Sequence, residues 1–212
     1  MRHIPQCKTD ELQLLPFETA LQKALIENDD YDISKWLYVP NTYTEYRYIL
    51  GTRGKNPLIC IGINPSTAKP DALDNTLKSV ERIAFYNGFD SFIMLNVYPQ
   101  RATNPNDMEQ NFNTILHKEN LKAFEYALNL CNKSCPPGVW LASGNIIEKR
   151  LYLAKCLVDM KRIADKYNTK WFSCGKISVK GHPHHPLYLK KNSTLDLFDI
   201  EKYVSGLIAS GI

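Results

Sequence analysis

Four times along this chain a short, unbroken apolar run gives way to apolar residues at helical spacing, and that alternation constrains the fold more than any other feature. Leu58-Ile59-Cys60-Ile61-Gly62-Ile63 is continuously apolar, as a strand buried on both faces requires. Leu77, Val80, Ile83 and Ala84 follow at helical spacing, behind Asp74 as N-cap and ahead of Asn87-Gly88 as a stop. Phe92-Ile93-Met94-Leu95, Val139-Trp140-Leu141-Ala142 and residues 169–174 read as the next strands. Helices are predicted over about 113–130, 147–167 and 197–209. The rhythm predicts a three-layer α/β/α sandwich with a mainly parallel central sheet. Ligands of such sheets bind beyond the carboxyl ends of the strands. The loops to inspect therefore begin at Asn64, Asn96, Ser143 and Gly175.

Ahead of this region, residues 1–40 read as an N-terminal extension and residues 41–212 as the α/β domain. The extension carries one predicted helix over residues 17–27, an acidic turn, and Trp36-Leu37-Tyr38 for packing. Residues 43–50 alternate aromatic and polar side chains and predict an edge strand. Thr52-Arg53-Gly54-Lys55-Asn56-Pro57 is turn chemistry.

Charge is unevenly spread behind a net +4. Residues 1–40 hold seven acids against four bases, whereas residues 166–195 hold no acid, six lysines and three histidines. A long acid-free stretch favours contact with phosphate, and a solvated basic face is the plainer alternative. Charged residues or prolines interrupt every candidate membrane span, and the first sixteen residues lack the apolar core of a secretory signal. Six cysteines without paired spacing, two of them inside apolar runs, suggest a reducing compartment, so a cytoplasmic location is expected. Their spacing does not suit an iron–sulfur cluster.

Three segments could carry chemistry. The first strand ends in Gly62-Ile63-Asn64-Pro65-Ser66-Thr67-Ala68. Glycine permits close approach of a ligand, and Pro65 holds Asn64 out of helical geometry so that its side chain projects from the strand end. The second strand ends in Asn96, followed by Arg101-Ala102-Thr103, where Arg and Thr suit an anion. Two asparagines at adjacent strand ends offer a neutral donor–acceptor pair suited to a nucleobase edge. The third segment runs from His182-Pro183 through His185-Pro186-Leu187-Tyr188-Leu189 to Lys190-Lys191. Its histidines lack a nearby Cys, Asp or Glu for a closed zinc site, and a histidine fixed between prolines suits stabilisation of a developing anion. No serine-hydrolase elbow, Walker loop or dinucleotide fingerprint is present, and no metal or other cofactor is expected.

Taken in order, these segments resemble the uracil-DNA glycosylase superfamily. Gly62-Ile63-Asn64-Pro65 is similar to its water-positioning loop, Asn96 with Arg101-Ala102-Thr103 to its second segment, and His185-Pro186-Leu187-Tyr188-Leu189 to its His-Pro loop. His182-Pro183 is a second candidate for that loop. Ser66 stands where the superfamily has glycine or tyrosine, and Ala102 where it has proline. Residues 46–189 also resemble the family catalogued as domain of unknown function 1643, through Asn64-Pro65-Ser66-Thr67-Ala68, Asn96 to Thr103, and His185 to Tyr188.

The resemblance implies a uracil-DNA-glycosylase-like fold and roles for particular residues. Asn64 would orient the attacking water and His185 would stabilise the departing base. Asn96 would read the base edge within a pocket of Gly62, Ile63, Pro65, Ser66, Thr103, His182 and Tyr188. Arg101, Lys190 and Lys191 would hold phosphates. The expected function is hydrolysis of the base–sugar bond of a modified or deaminated base, with DNA or a phosphorylated nucleotide as partner. Two alternatives stay open: an inactive nucleic-acid or nucleotide binding module with the same pocket, and an N-glycosidase of free nucleosides or nucleotides.

Overall fold

The computed structural model describes residues 2–26, 28–131 and 135–211. Seven strands form one sheet: β1 (Trp36–Val39), β2 (Ile49–Thr52), β3 (Pro57–Gly62), β4 (Ser91–Asn96), β5 (Gly138–Leu141), β6 (Lys170–Cys174) and β7 (Leu195–Leu197). Their order across the sheet is β1-β2-β4-β3-β5-β6-β7. The helices are α1 (Phe17–Ala24), α2 (Asn75–Tyr86), α3 (Thr114–Leu130), α4 (Leu151–Asp165) and α5 (Ile200–Ala209).

Alternate strand residues enter two separate cores, as the pleat demands. Ile59, Ile61, Ile93 and Leu95 pack with Phe17, Phe124, Leu153 and Val204, beneath α1, α3, α4 and α5. Leu58, Cys60, Phe92, Met94 and Trp140 pack with Leu77, Val80 and Ile83 of α2 on the other face. Burial on both faces is why these strands read as unbroken apolar runs. Helix starts follow their caps: the side chains of Asp74 and Asn113 accept from Leu77 N at 2.9 Å and Leu116 N at 3.0 Å. Gly88, at φ +83°, turns the chain out of α2 as the Asn87-Gly88 pair predicts.

The mainly parallel sheet is a correction: the sheet is mixed. The pairs β4–β3, β3–β5 and β5–β6 are parallel, whereas β1–β2, β2–β4 and β6–β7 are antiparallel. Helical crossovers are what allow parallel pairing, and they join only the central strands. The strand predicted over residues 43–50 is displaced too. Only Ile49–Thr52 joins the ladder, and it is internal, because Trp36–Val39 pairs on its outer side. Tyr46 and Tyr48 point inward instead, and their hydroxyls hold Leu15 N at 2.9 Å and Leu15 O at 3.0 Å. The last helix starts at Ile200 rather than 197, since Leu195–Leu197 forms β7. Helix α1 ends at Ala24, and residue 27, its predicted end, lies outside the described residues.

Residues before position 41 thus supply both α1 and the sheet's edge strand. They also reach the far end of β4, where His3 N donates to Thr103 Oγ1 at 2.7 Å and Thr103 N donates to His3 O at 3.0 Å. No helix among the described residues is long and apolar enough to cross a membrane.

Candidate functional site

The carboxyl ends of β3 and β4 lie side by side, with Gly62 opposite Asn96 in the parallel register. That pairing makes the glycine necessary. A Cβ on Gly62 would stand 2.6 Å from Met94 Cε and 3.1 Å from Asn96 Oδ1, so the missing side chain is the space that the Asn96 amide occupies. The Asn96 side chain is fully buried, and neither its Nδ2 nor its Oδ1 has a hydrogen-bond partner among the described residues. Its backbone oxygen is held by Asn120 Nδ2 at 2.8 Å, so the residue is fixed while its amide is left open. Buried amides are normally paired, and this exception faces a cavity of about 380 Å³.

Asn64 stands on the same cavity. Its Nδ2 donates to Ala102 O at 2.6 Å and to Pro65 O at 3.2 Å, which ties the β3 loop to the β4 loop and turns Oδ1 the other way. Ala102 N closes the link by donating to Pro65 O at 2.9 Å, and the hydroxyls of Ser66 and Thr103 meet at 3.0 Å. Arg101 completes this junction from beneath. It is fully buried, with donors directed to Ser66 O, to Ala68 O at 3.3 Å and to Tyr38 Oη at 3.0 Å, and its guanidinium lies 4.3 Å from the Tyr43 ring centroid. The predicted phosphate ligand Arg101 is therefore the clamp that shapes the loop, and it is not among the residues lining the cavity.

His185 comes from the long connection after β6. It caps a short turn, Pro186–Tyr188, where Leu187 N approaches His185 Nδ1 at 3.4 Å. That approach favours the tautomer with the proton on Nε2. Burial holds the imidazole pKa below its ordinary value, with the Asp74 carboxylate pulling weakly the other way, so the ring is neutral at pH 7. The loop sits close over the end of β5, where Gly144, at φ +56°, donates from its N–H to Pro183 O at 2.9 Å. A Cβ there would come within 3.4 Å of His185 Cβ.

The structure thus gathers Gly62, Ile63, Asn64, Pro65, Ser66, Asn96, Thr103 and His185 around one cavity. It separates the remaining candidates. His182 is buried elsewhere, its Nδ1 meeting Tyr203 Oη at 2.8 Å and its Nε2 meeting Glu148 Oε1 at 3.0 Å, which pins α5 to the turn after β5. Tyr188 is exposed, with its ring centroid 6.2 Å from that of His185, and Lys190 and Lys191 are exposed outside the cavity lining. The sequence reading leaves two charged lining residues out of the site. Arg47 is 1% exposed and reaches the cavity from between two inward tyrosines. Asp74, legible as a helix cap, also borders the cavity with the first residues of α2. A lone basic residue in an aromatic alternation was the available signal for Arg47. Among the described residues, no three His, Cys, Asp or Glu side chains converge as metal ligands would.

Fold and site together define an α/β protein with a ligand-sized cavity, lined by polar and apolar residues, at the carboxyl ends of its parallel strands. The profile of one family matches residues 47–187, and the chain belongs to that family, described as "Protein of unknown function (DUF1643)". Every residue lining the cavity, from Arg47 to Leu187, falls within the matched span. No curated protein and no solved structure matches the chain.

Proposed function

We propose that this cavity binds a nucleobase and that the chain hydrolyses the base–sugar bond of a modified or deaminated nucleotide unit, as a member of the uracil-DNA-glycosylase-like superfamily. The observation that carries the reading is the Asn96 amide, buried and unpaired in a residue that lines the same cavity as Asn64 and His185. An amide supplies one donor and one acceptor face, the complement of a pyrimidine or purine edge.

The three side chains divide the reaction between them. The bond from the anomeric carbon to the base nitrogen breaks, its electron pair leaves with the base, and water adds to the sugar. Asn64, with Nδ2 committed to two carbonyls, has Oδ1 to accept a hydrogen from that water and so place it. It is no base, and the proton released by the water ends on the departing base through solvent. Neutral His185, protonated on Nε2, donates to the base oxygen on which charge develops. A donor aimed at developing charge in a partly dry cavity lowers the barrier by about 3 kcal/mol.

A binding module with the same pocket is the second reading. Asn64 supports it, because the two bonds from its amide also serve the loop junction without any chemistry. The test is release of free base from uracil-, hypoxanthine- and modified-pyrimidine-containing DNA and nucleotides. Release that His185→Ala lowers at least a hundredfold is expected. Binding without release across that panel would refute hydrolysis and leave the module.

A further inference from the structure

Arg47 is the charged group that this scheme does not use, and it is the least satisfied one in the cavity. It is 1% exposed, its one hydrogen bond among the described residues runs from Nη1 to Ala68 O at 3.1 Å, and its buried Nε has no partner. Arg101 donates to the same Ala68 oxygen at 3.3 Å, so two guanidinium groups converge on one carbonyl. No carboxylate forms an ion pair with either among the described residues. Burial, and then the like charge of Arg101, push the Arg47 guanidinium down to about 9, which still leaves it charged at neutral pH.

Asp74 is the acid on the cavity wall, and its Oδ1 accepts from Leu77 N, so it caps α2 rather than pairing with Arg47. Asn75 and Thr76 line the same wall, and the first N–H groups of a helix have no intrahelical acceptor. With His185 neutral, Arg47 and Asp74 are the charged side chains that line the cavity, and Arg101 stands behind them at the Ala68 carbonyl it shares with Arg47. A buried guanidinium and open helix N–H groups lining one cavity supply the donor types of an oxyanion site.

We propose that Arg47 and the N-terminus of α2 form a phosphate subsite, so that the ligand of this cavity is a free nucleoside monophosphate. The inference rests on the cavity being the nucleobase site and adds what the ligand carries at its other end. A phosphate that reaches a guanidinium 1% exposed arrives as the end of a molecule. A diester would bring a second sugar into the same 380 Å³ or so. The exposed Lys190 and Lys191, which a polymer would use, lie outside the lining.

The experiment is calorimetric titration of the full chain with nucleosides, their 5′-monophosphates, inorganic phosphate, and a short single-stranded oligonucleotide lacking terminal phosphates. Monophosphates should bind about ten- to a hundredfold more tightly than the matching nucleosides, the range expected for hydrogen bonds to a charged group. Inorganic phosphate should compete, and the oligonucleotide should not. Arg47→Gln should erase the preference for monophosphate over nucleoside. Should that variant fail to fold, millimolar inorganic phosphate should still raise the melting temperature of the wild-type chain above that in chloride of equal ionic strength. Equal affinity for nucleoside and monophosphate, absence of stabilisation by phosphate, or tighter binding of the oligonucleotide would each overturn the subsite. Base release is scored separately. A monophosphate preference without release removes the hydrolysis and leaves the subsite, and release from DNA without that preference does the reverse.

Discussion

Replacing Asn96 by leucine should make this protein more stable and less able to bind its ligand. Both polar atoms of the Asn96 side chain are buried without partners, and the bond from Asn120 is to the Asn96 backbone, which the change leaves alone. An unsatisfied buried polar group costs about 1–3 kcal/mol, and water entering the cavity offsets part of that for the two atoms of one amide. Leucine is of similar length and brings no polar atom to that position. The net gain is therefore about 1–2 kcal/mol. For a chain of this size, about 2–4 °C accompanies each kcal/mol, so the melting temperature should rise by about 2–8 °C. Urea unfolding with an unchanged m-value, alongside calorimetric melting, measures it. Titration with the tightest ligand of the wild-type chain should show at least a tenfold loss of affinity. A leucine variant destabilised by more than about 1 kcal/mol would refute the reasoning, because it would mean that the amide is satisfied and structural.

Other perturbations separate the cavity from its supports. Gly62→Ala places a methyl group against the flexible end of Met94 and 3.1 Å from Asn96 Oδ1, so ligand affinity should fall while the melting temperature moves by only a few degrees. Arg101→Met removes the donors that hold residues 66–68 from below and should destabilise by about 3 kcal/mol in urea titrations. His182→Gln disturbs the Glu148–Tyr203 link, not the cavity, so it should lower the melting temperature and leave the ligand dissociation constant unchanged. Burial holds both His185 and His117 below the ordinary histidine value. The unfolded chain therefore takes up protons at these sites first, so their stability contribution is complete above about pH 6.5 and is lost as pH falls through the folded values. Chemical denaturation between pH 7.5 and 4.5 should show this decline, and His185→Asn should flatten part of it.

What was legible in the sequence was what local chemistry decides. Asp74 and Asn113 cap the helices they precede, and the doubly buried strands announce themselves as apolar runs. The edges were not legible, because antiparallel pairing joins β1 to β2 and β6 to β7 without a helical crossover to signal it. Leu195–Leu197 has too few residues for a period of two to stand out from a helix start. The two His-Pro pairs share the same local sequence, and only their distant neighbours separate them: Glu148 and Tyr203 for His182, Gly144 and Leu187 for His185. Arg47 and Arg101 exchanged their expected importance for the same reason. Which guanidinium spends its donors on a loop and which faces a cavity is set by residues far along the chain.

Asn96 and Arg47 are the cavity-lining residues whose buried side-chain polar atoms lack partners among the described residues. Arg101, equally buried, directs its terminal nitrogens to two carbonyls and a hydroxyl and lies against an aromatic face, with its Nε alone left without a partner among the described residues. Asn96 is buried to the same degree with no partner for its amide, and Arg47 has only the Ala68 carbonyl, yet both line one cavity. Packing alone gives no reason to retain an unpaired amide and an under-bonded guanidinium in the lining of one cavity, since apolar groups of the same shape would be as stable or more so. A ligand with a hydrogen-bonding edge at one end and negative charge at the other would satisfy both at once. The local departures from good folding practice at positions 47, 62 and 96 therefore have a common account in what the cavity is built to receive.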